Sequence, residues 1–187
     1  THTIYDFFGP KIGFDVFRFE DGKIVEHWDN LLDIATPNPS GHTQTDGPTK
    51  SDNLDKTKAN KKIVSDFISD ILMNGKMDKI PNYIDGGKEN YIQHNPAIGD
   101  GLSGLGAALE GMAMQGVTME YKIVHKVLGE GNFVLAISEG TFAGKPTSYY
   151  DLFRVENEKI VEHWDVMETI MPEADWKNSN GKFNFPK

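Results

Sequence analysis

YDLFRVENEKIVEHWD (Tyr150–Asp165) decides the fold, because the chain contains it twice. The earlier copy is FDVFRFEDGKIVEHWD (Phe14–Asp29), 136 residues upstream and identical at 11 of the 16 aligned positions. Each copy alternates apolar and polar residues on both sides of a turn, which is the pattern of a β-hairpin. Asp21-Gly22 marks the turn of the first copy, and a two-residue turn there pairs Glu20 with Lys23. Carried to the second copy, that register pairs Glu156 with Lys159 and Val155 with Ile160. It sets Phe153 opposite Glu162 and Asp151 opposite Trp164. One face then carries Tyr149, Asp151, Phe153, Val155, Ile160, Glu162, Trp164 and Val166. This is the more apolar face and is expected to point inward. Tyr150, Leu152, Arg154, Val161, His163 and Asp165 are expected on the other face.

A spacing of 136 residues is about the size of one domain. Only 13 residues precede the first copy, whereas helix and strand patterns fill the space before the second. Residues 1–34 therefore read as a hairpin from an incomplete repeat of the same domain, either a tandem repeat cut short or a hairpin kept after duplication. A strand pair alone is marginal in water, so Thr3–Asp29 is expected to add to another sheet, on this chain or on a partner. Residues 35–53, rich in Pro, Ser, Thr, Gly and Asn, read as a linker with His42 in solvent. Residues 54–170 form the complete domain and 171–187 a tail.

Within that domain Ile63, Val64, Phe67, Ile68, Ile71 and Leu72 recur at helical spacing, with Gly75 as the stop. A short helix is expected over Met77–Tyr83 and a turn at Asp85-Gly86-Gly87. Asp100 precedes a third helix, GLSGLGAALEGMAMQG, whose small residues suggest close packing on a sheet. From Val117 the pattern is strands, with turns at Gly129-Glu130-Gly131, Gly144-Lys145 and Asn157-Glu158. Helices first and antiparallel strands after indicate the α+β class.

The chain has 187 residues, a net charge of −9 and a pI near 5.1. One core of ordinary size is expected, and the acidic field opposes nucleic-acid and anionic membrane partners. Absence of cysteine excludes disulfides and thiolate chemistry. No apolar run approaches ~18 residues, and the start lacks the pattern of a signal peptide. A soluble protein is expected, with cytoplasm and periplasm both open. No two histidines have the spacing of a local zinc motif, so neither metal nor cofactor is expected. Met112, Met114 and Met119 read as core filling.

Asp151 and Glu162, set on an apolar face with Phe153 and Trp164, are candidates for general acid/base work. Burial in such surroundings disfavours the ionised form and brings a carboxyl pKa towards neutrality. The plainer alternative for each is pairing with a cation or hydroxyl. His94 is read either as a pocket residue or as a structural histidine beside Asn95-Pro96. His125 reads as structural, and His163 as an outer-face contact.

Tyr91-Ile92-Gln93-His94-Asn95-Pro96, the glycine-bearing helix after Asp100 and the ending Glu162-His163-Trp164-Asp165 resemble the SnoaL-like polyketide cyclases. These belong to the nuclear transport factor 2-like superfamily, and the resemblance spans Ala59–Ile170. It implies a cone: a curved antiparallel sheet wrapped on about three helices, with an apolar pocket at the open end and the N-terminal hairpin as an addition. It implies Asp151 as general acid/base of an intramolecular aldol closure, with His94 projecting into the same pocket and no cofactor. Tyr91, Phe133, Glu139, Phe153, Glu162 and Trp164 are the expected substrate-binding residues. The sequence departs from the family at Ile137-Ser138-Glu139, where related cyclases often carry histidine, which alters the donors and charge of the pocket. Three functions stand at this level: a cofactor-free cyclase or isomerase acting on a carbonyl compound; a non-catalytic site for a small apolar or polycyclic molecule; and a homo-oligomeric assembly module. A homodimer is expected, through the outer face of the sheet or the N-terminal hairpin.

Overall fold

The computed structural model describes residues 1–6, 8–85 and 90–186. Gly86 and Gly87 of the expected turn lie outside the described residues. Strands β1 (His2–Asp6), β2 (Pro10–Glu20) and β3 (Lys23–Asp33) form an antiparallel sheet in the order β1-β2-β3. A second sheet, of order β4-β8-β7-β6-β5, contains β4 (Ile92–Gln93), β5 (Met119–Glu130), β6 (Phe133–Phe142), β7 (Lys145–Glu156) and β8 (Lys159–Thr169). Its long strands are antiparallel, as expected, but β4 runs parallel to β8, so the sheet is mixed.

The helices are α1 (Thr57–Phe67), continued by a π-helical turn to Met73, α2 (Ile80–Tyr83) and α3 (Gly101–Met114). The stripe read from the sequence does what its spacing predicts. Val64, Phe67, Ile68 and Ile71 are buried in one core with Tyr121, Val134, Phe153, Val155 and Ile160 from the inner face of the five-stranded sheet. Gly75, at φ +63°, closes this helix: its N–H donates to the Ile71 carbonyl, and the Lys76 N–H to that of Asp70. Helix α3 departs from expectation. Gly104 packs against the Gly99 carbonyl rather than the sheet, and Gly101 is its one fully buried residue. Met114 is exposed, not core filling.

The second hairpin starts in the expected register, Glu156 with Lys159 and Val155 with Ile160, and then shifts. Val161 is an extra residue, so Arg154 pairs with Glu162, Phe153 with His163, Leu152 with Trp164 and Asp151 with Asp165. A β-bulge of this kind puts two residues opposite one, and every side chain beyond it changes face. Glu162, Trp164 and Val166 therefore leave the inner face, and His163 and Asp165 join it, the reverse of the uniform alternation. The first hairpin carries the same shift at the same place: Phe19 pairs with Ile24, then Arg18 with Glu26 and Asp15 with Asp29.

Residues 1–34 do not extend the five-stranded sheet. They form their own sheet and pack it face to face on the outer face of the other, burying Ile12 and Phe14 against Ile137, Tyr150, Trp164 and Val166. The contacts join equivalent residues of the repeat. The rings of Phe14 and Tyr150, 136 positions apart, have centroids 6.5 Å apart. Asn30 Nδ2 donates to the carbonyl of its own equivalent, Val166, at 2.9 Å and to that of Ser148 at 3.0 Å. Contact of a residue with its own equivalent is the mark of a two-fold axis, so the two hairpins are related by a pseudo-two-fold within one chain. The connection 35–53 is not free either. Asn38 is buried and donates to the carbonyls of Gln93 (2.6 Å) and Ile98 (2.9 Å), and Gln44 is buried too, which makes the segment a strap over the sheet's β4–β8 edge.

Candidate active site

Because of the bulge, Asp151 meets different neighbours from those expected. It is buried on the inner face, and its carboxylate accepts from the Tyr121 hydroxyl, at 3.2 Å to each oxygen, and from His163 Nε2 at 3.1 Å. Phe153 stacks on the His163 ring with centroids 4.6 Å apart. Gln93 sets the tautomer of His163. Its Oε1 accepts from the backbone N–H groups of His94 (3.0 Å) and Asn95 (3.1 Å), so its amide nitrogen must face the other way. That nitrogen lies 3.2 Å from His163 Nδ1 and 3.3 Å from the Tyr91 hydroxyl. Nδ1 of His163 thus accepts, and Nε2–H donates to Asp151.

Asp165 lies directly across from Asp151 on the same face and accepts from Asn95 Nδ2 at 3.0 and 2.8 Å. Burial raises its carboxyl pKa and the charge of Asp151 adds to the rise, while His163 and the Asn95 amide oppose it. Burial, with the charge of Asp151 beside it, also raises the Tyr121 hydroxyl well above its ordinary range. The two facing carboxyls thus sit in unlike surroundings: Asp151 accepts from a phenol and an imidazole, whereas Asp165 accepts from an amide and burial raises its carboxyl pKa.

Of the expected site residues, Asp151, Phe153 and Tyr91 come together here. His94, Glu162, Trp164, Phe133 and Glu139 do not, because they lie on the opposite face of the sheet. His94 Nε2 contacts Glu162 Oε1 at 2.8 Å, Glu162 Oε2 accepts from Arg154 Nε at 2.6 Å, and the His94 ring stacks on Trp164 at 4.5 Å. Glu162 is therefore the paired carboxylate that the plainer alternative described. Burial works against a charged His94 ring, but hydrogen bonds to Glu162 and the Thr43 carbonyl, with the charges of Glu162 and Asp46, raise its pKa overall. Glu139 pairs with His125 at 2.8 Å, away from either group. The residues missed from sequence are Tyr121, Gln93, Asn95, His163 and Asp165. The alternation Tyr91, Gln93, Asn95 was a usable signal, since i, i+2, i+4 residues of an extended segment share a side.

A cavity of about 510 Å³ lies on the other face, between the two sheets and the strap. Phe14, Phe133, Leu135, Leu152 and Trp164 supply its apolar wall, and polar residues including His2, Asp46, Ser51 and Glu130 line the rest. His2 stacks on Phe14 at 4.1 Å. Burial, and then the charge of His94, lower its pKa. The apolar pocket expected beside Asp151 thus has its counterpart on the face away from Asp151.

No family profile matches the sequence, and no curated protein matches it. Three solved structures illustrate what the chain is similar to. A SnoaL-like polyketide cyclase from Agrobacterium tumefaciens is 13% identical, with a TM-score of 0.46 over 58% of this chain and 91% of that one. IdmH, a putative polyketide cyclase from Streptomyces antibioticus, is 16% identical, with a TM-score of 0.43 over 58% and 91%. An LEH-like epoxide hydrolase from M. tuberculosis is 20% identical, with a TM-score of 0.44 over 60% and 85%. With 13–20% identity, what these three share with this chain is fold alone.

Proposed function

We propose that the protein is a cofactor-free acid/base enzyme of the cyclase or isomerase kind, acting on a carbonyl-bearing small molecule. The observation that carries this reading is the inner-face constellation, in which Asp151 is held by His163 and Tyr121 with Asp165 directly opposite. In it, Asp151 takes a proton from carbon next to a carbonyl, and the electron pair passes into the enolate. The enolate carbon attacks a second carbonyl of the same molecule, Asp165 protonates the alkoxide so formed, and on product release Asp151 loses its proton to solvent and Asp165 regains one. His163 and Tyr121 keep the Asp151 carboxylate oriented and return hydrogen bonds to it as its charge changes.

The test is exchange of α-protons with D2O, followed by NMR, over a panel of enolisable aromatic and polyketide-like diketones. Wild type is expected to catalyse exchange, and Asp151→Asn to lose about 10²–10⁴-fold. A variant rate within tenfold of wild type would exclude Asp151 as the base. A second reading is favoured by the cavity, whose volume suits a small apolar or polycyclic ligand held without chemistry. Native mass spectrometry on the same two proteins separates the readings: a ligand retained equally by both, with no exchange activity, supports binding alone.

A further inference from the structure

The strap brings together a group of side chains that the acid/base site does not use. Nδ1 of His94 lies 2.8 Å from Asp46 Oδ1 and 2.8 Å from the Thr43 carbonyl oxygen. Nδ1 of His42 lies 3.4 Å from Asp46 Oδ2. One ligand atom from each of His42, Asp46 and His94 falls within 4.8 Å of the others. The remaining nitrogen of each ring is tied to a carboxylate: His42 Nε2 to Asp100 at 3.1 Å, and His94 Nε2 to Glu162 at 2.8 Å. A carboxylate behind each imidazole holds the Nε2 proton, which leaves Nδ1 to take an ion once its own proton has gone, as in histidine metal sites.

We propose that His42, Asp46 and His94 form a binding site for a divalent cation of the zinc class, with the Thr43 carbonyl or water as the fourth ligand. Two imidazole nitrogens and a carboxylate suit such an ion better than magnesium or calcium, which prefer oxygen alone. Zn–N bonds of about 2.0–2.1 Å place tetrahedral ligand atoms about 3.4 Å apart. The two rings approach different oxygens of Asp46, His42 Nδ1 at 3.4 Å from Oδ2 and His94 Nδ1 at 2.8 Å from Oδ1. One ligand atom from each residue lies within 4.8 Å of the others, so the group has to close slightly on an ion. The ion takes the place of the proton shared between His94 Nδ1 and its two oxygen partners, and that proton leaves to solvent.

The surroundings hold the three residues in place before an ion arrives. Trp164 Nε1 donates to the Asp46 carbonyl at 3.0 Å, Asn38 Oδ1 accepts from the His42 N–H at 2.9 Å, and the Asp46 N–H donates to Thr43 Oγ1 at 3.1 Å. Asp46 is exposed, which leaves a path for entry, and it also lines the cavity, so the ion sits at the cavity rim. Asp15, His27 and Asp29 form a second group within the same distance limit. Nothing ties the second nitrogen of His27 to a carboxylate among the contacts described for it, so that group serves as the control.

The full chain, stripped by chelator, is titrated with Zn²⁺ by calorimetry and with Co²⁺ by visible absorption. The expected result is one equivalent bound with a Kd of about 10 μM or tighter, and Co²⁺ bands of tetrahedral intensity. His42→Ala and Asp46→Asn are each expected to weaken binding by about 100-fold or more and to abolish those bands, with far-UV circular dichroism unchanged. His27→Ala is expected to bind as wild type does. No binding at about 1 mM Zn²⁺, wild-type affinity in both strap variants, or loss of binding in His27→Ala would each overturn the proposal.

Discussion

Asp165 faces Asp151 across the β7–β8 pair, and its environment holds a proton on it more firmly than water would. Folding therefore takes up a proton between the ordinary carboxyl value of 3.8 and the raised folded value, and stability falls as pH rises through that window. Asp165→Asn keeps an oxygen for the Asn95 amide and removes the charge. The variant is expected to melt above wild type at pH 7–8, with the gain shrinking towards zero as pH falls below the unfolded carboxyl value. Each kcal/mol moves Tm by about 2–4 °C in a chain of this size. Calorimetric scans across that pH range check this, and an equal gain at both ends contradicts it. At this scale Asp151 was legible, because a carboxylate amid aromatic residues stands out in any register. His163 and Asp165 were not, because which face they take depends on one extra residue in the strand.

That extra residue belongs to the element scale. Strict alternation through KIVEHWD can be read in either phase, and the adjacent apolar pair Ile160-Val161 is what breaks it. Ile24-Val25 does the same in the first copy, and both hairpins shift register at that point. The strap shows a different limit. Its composition reads as a linker, yet Asn38 and Gln44 are buried and Trp164 bonds its backbone, because polar loop residues can spend their hydrogen bonds on a sheet edge as well as on water. Gly47 makes this possible: at φ +105° it passes over the sheet where a Cβ would lie 2.7 Å from Glu162 Oε1 and 2.8 Å from the Trp164 ring. Gly47→Ala is expected to cost about 1–3 kcal/mol and to open the strap to proteolysis between residues 35 and 53. Unchanged urea midpoint and cleavage pattern would show that the strap does not need this approach.

For the whole molecule, the pseudo-two-fold decides which surfaces remain available. The outer face of the five-stranded sheet, through which a homodimer was expected, is covered by the chain's own β1–β3 sheet. Removal of residues 1–34 would expose Ile137, Tyr150, Trp164 and Val166 together, and contiguous exposed apolar surface favours association. The shortened chain is expected to dimerise through that face, with Tyr150 near its own counterpart as it now lies near Phe14. Light scattering of both forms at about 50 μM checks this, and a monomeric shortened chain contradicts it. The long-range repeat was legible because sequence identity survives any folding. The axis was not, because face-to-face packing depends on how two outer faces fit in space.

The two copies of the hairpin separate what sequence fixes from what it leaves open. Each has the same bulge and arginine–glutamate pair, and each joins its histidine to its aspartate, at 2.7 Å for His27–Asp15 and 3.1 Å for His163–Asp151. Phe17 stacks on His27 as Phe153 does on His163, with centroids 4.6 Å apart in both. These local features follow from sequence by itself, since strand pairing and neighbouring side chains determine them wherever the hairpin sits. The surroundings differ. Helix α1 covers the inner face of the second copy, where Val155 is 3% exposed, whereas Phe19, its equivalent in the first copy, is 62% exposed. Burial is a property of the tertiary structure, and it is what raises the pKa of the Asp165 carboxyl and the Tyr121 hydroxyl beside the second copy. The sequence therefore determined the fold class and the repeated hairpin with its turn and apolar pair, and only the tertiary packing left the His163 side chain 13% exposed where that of His27 is 43% exposed.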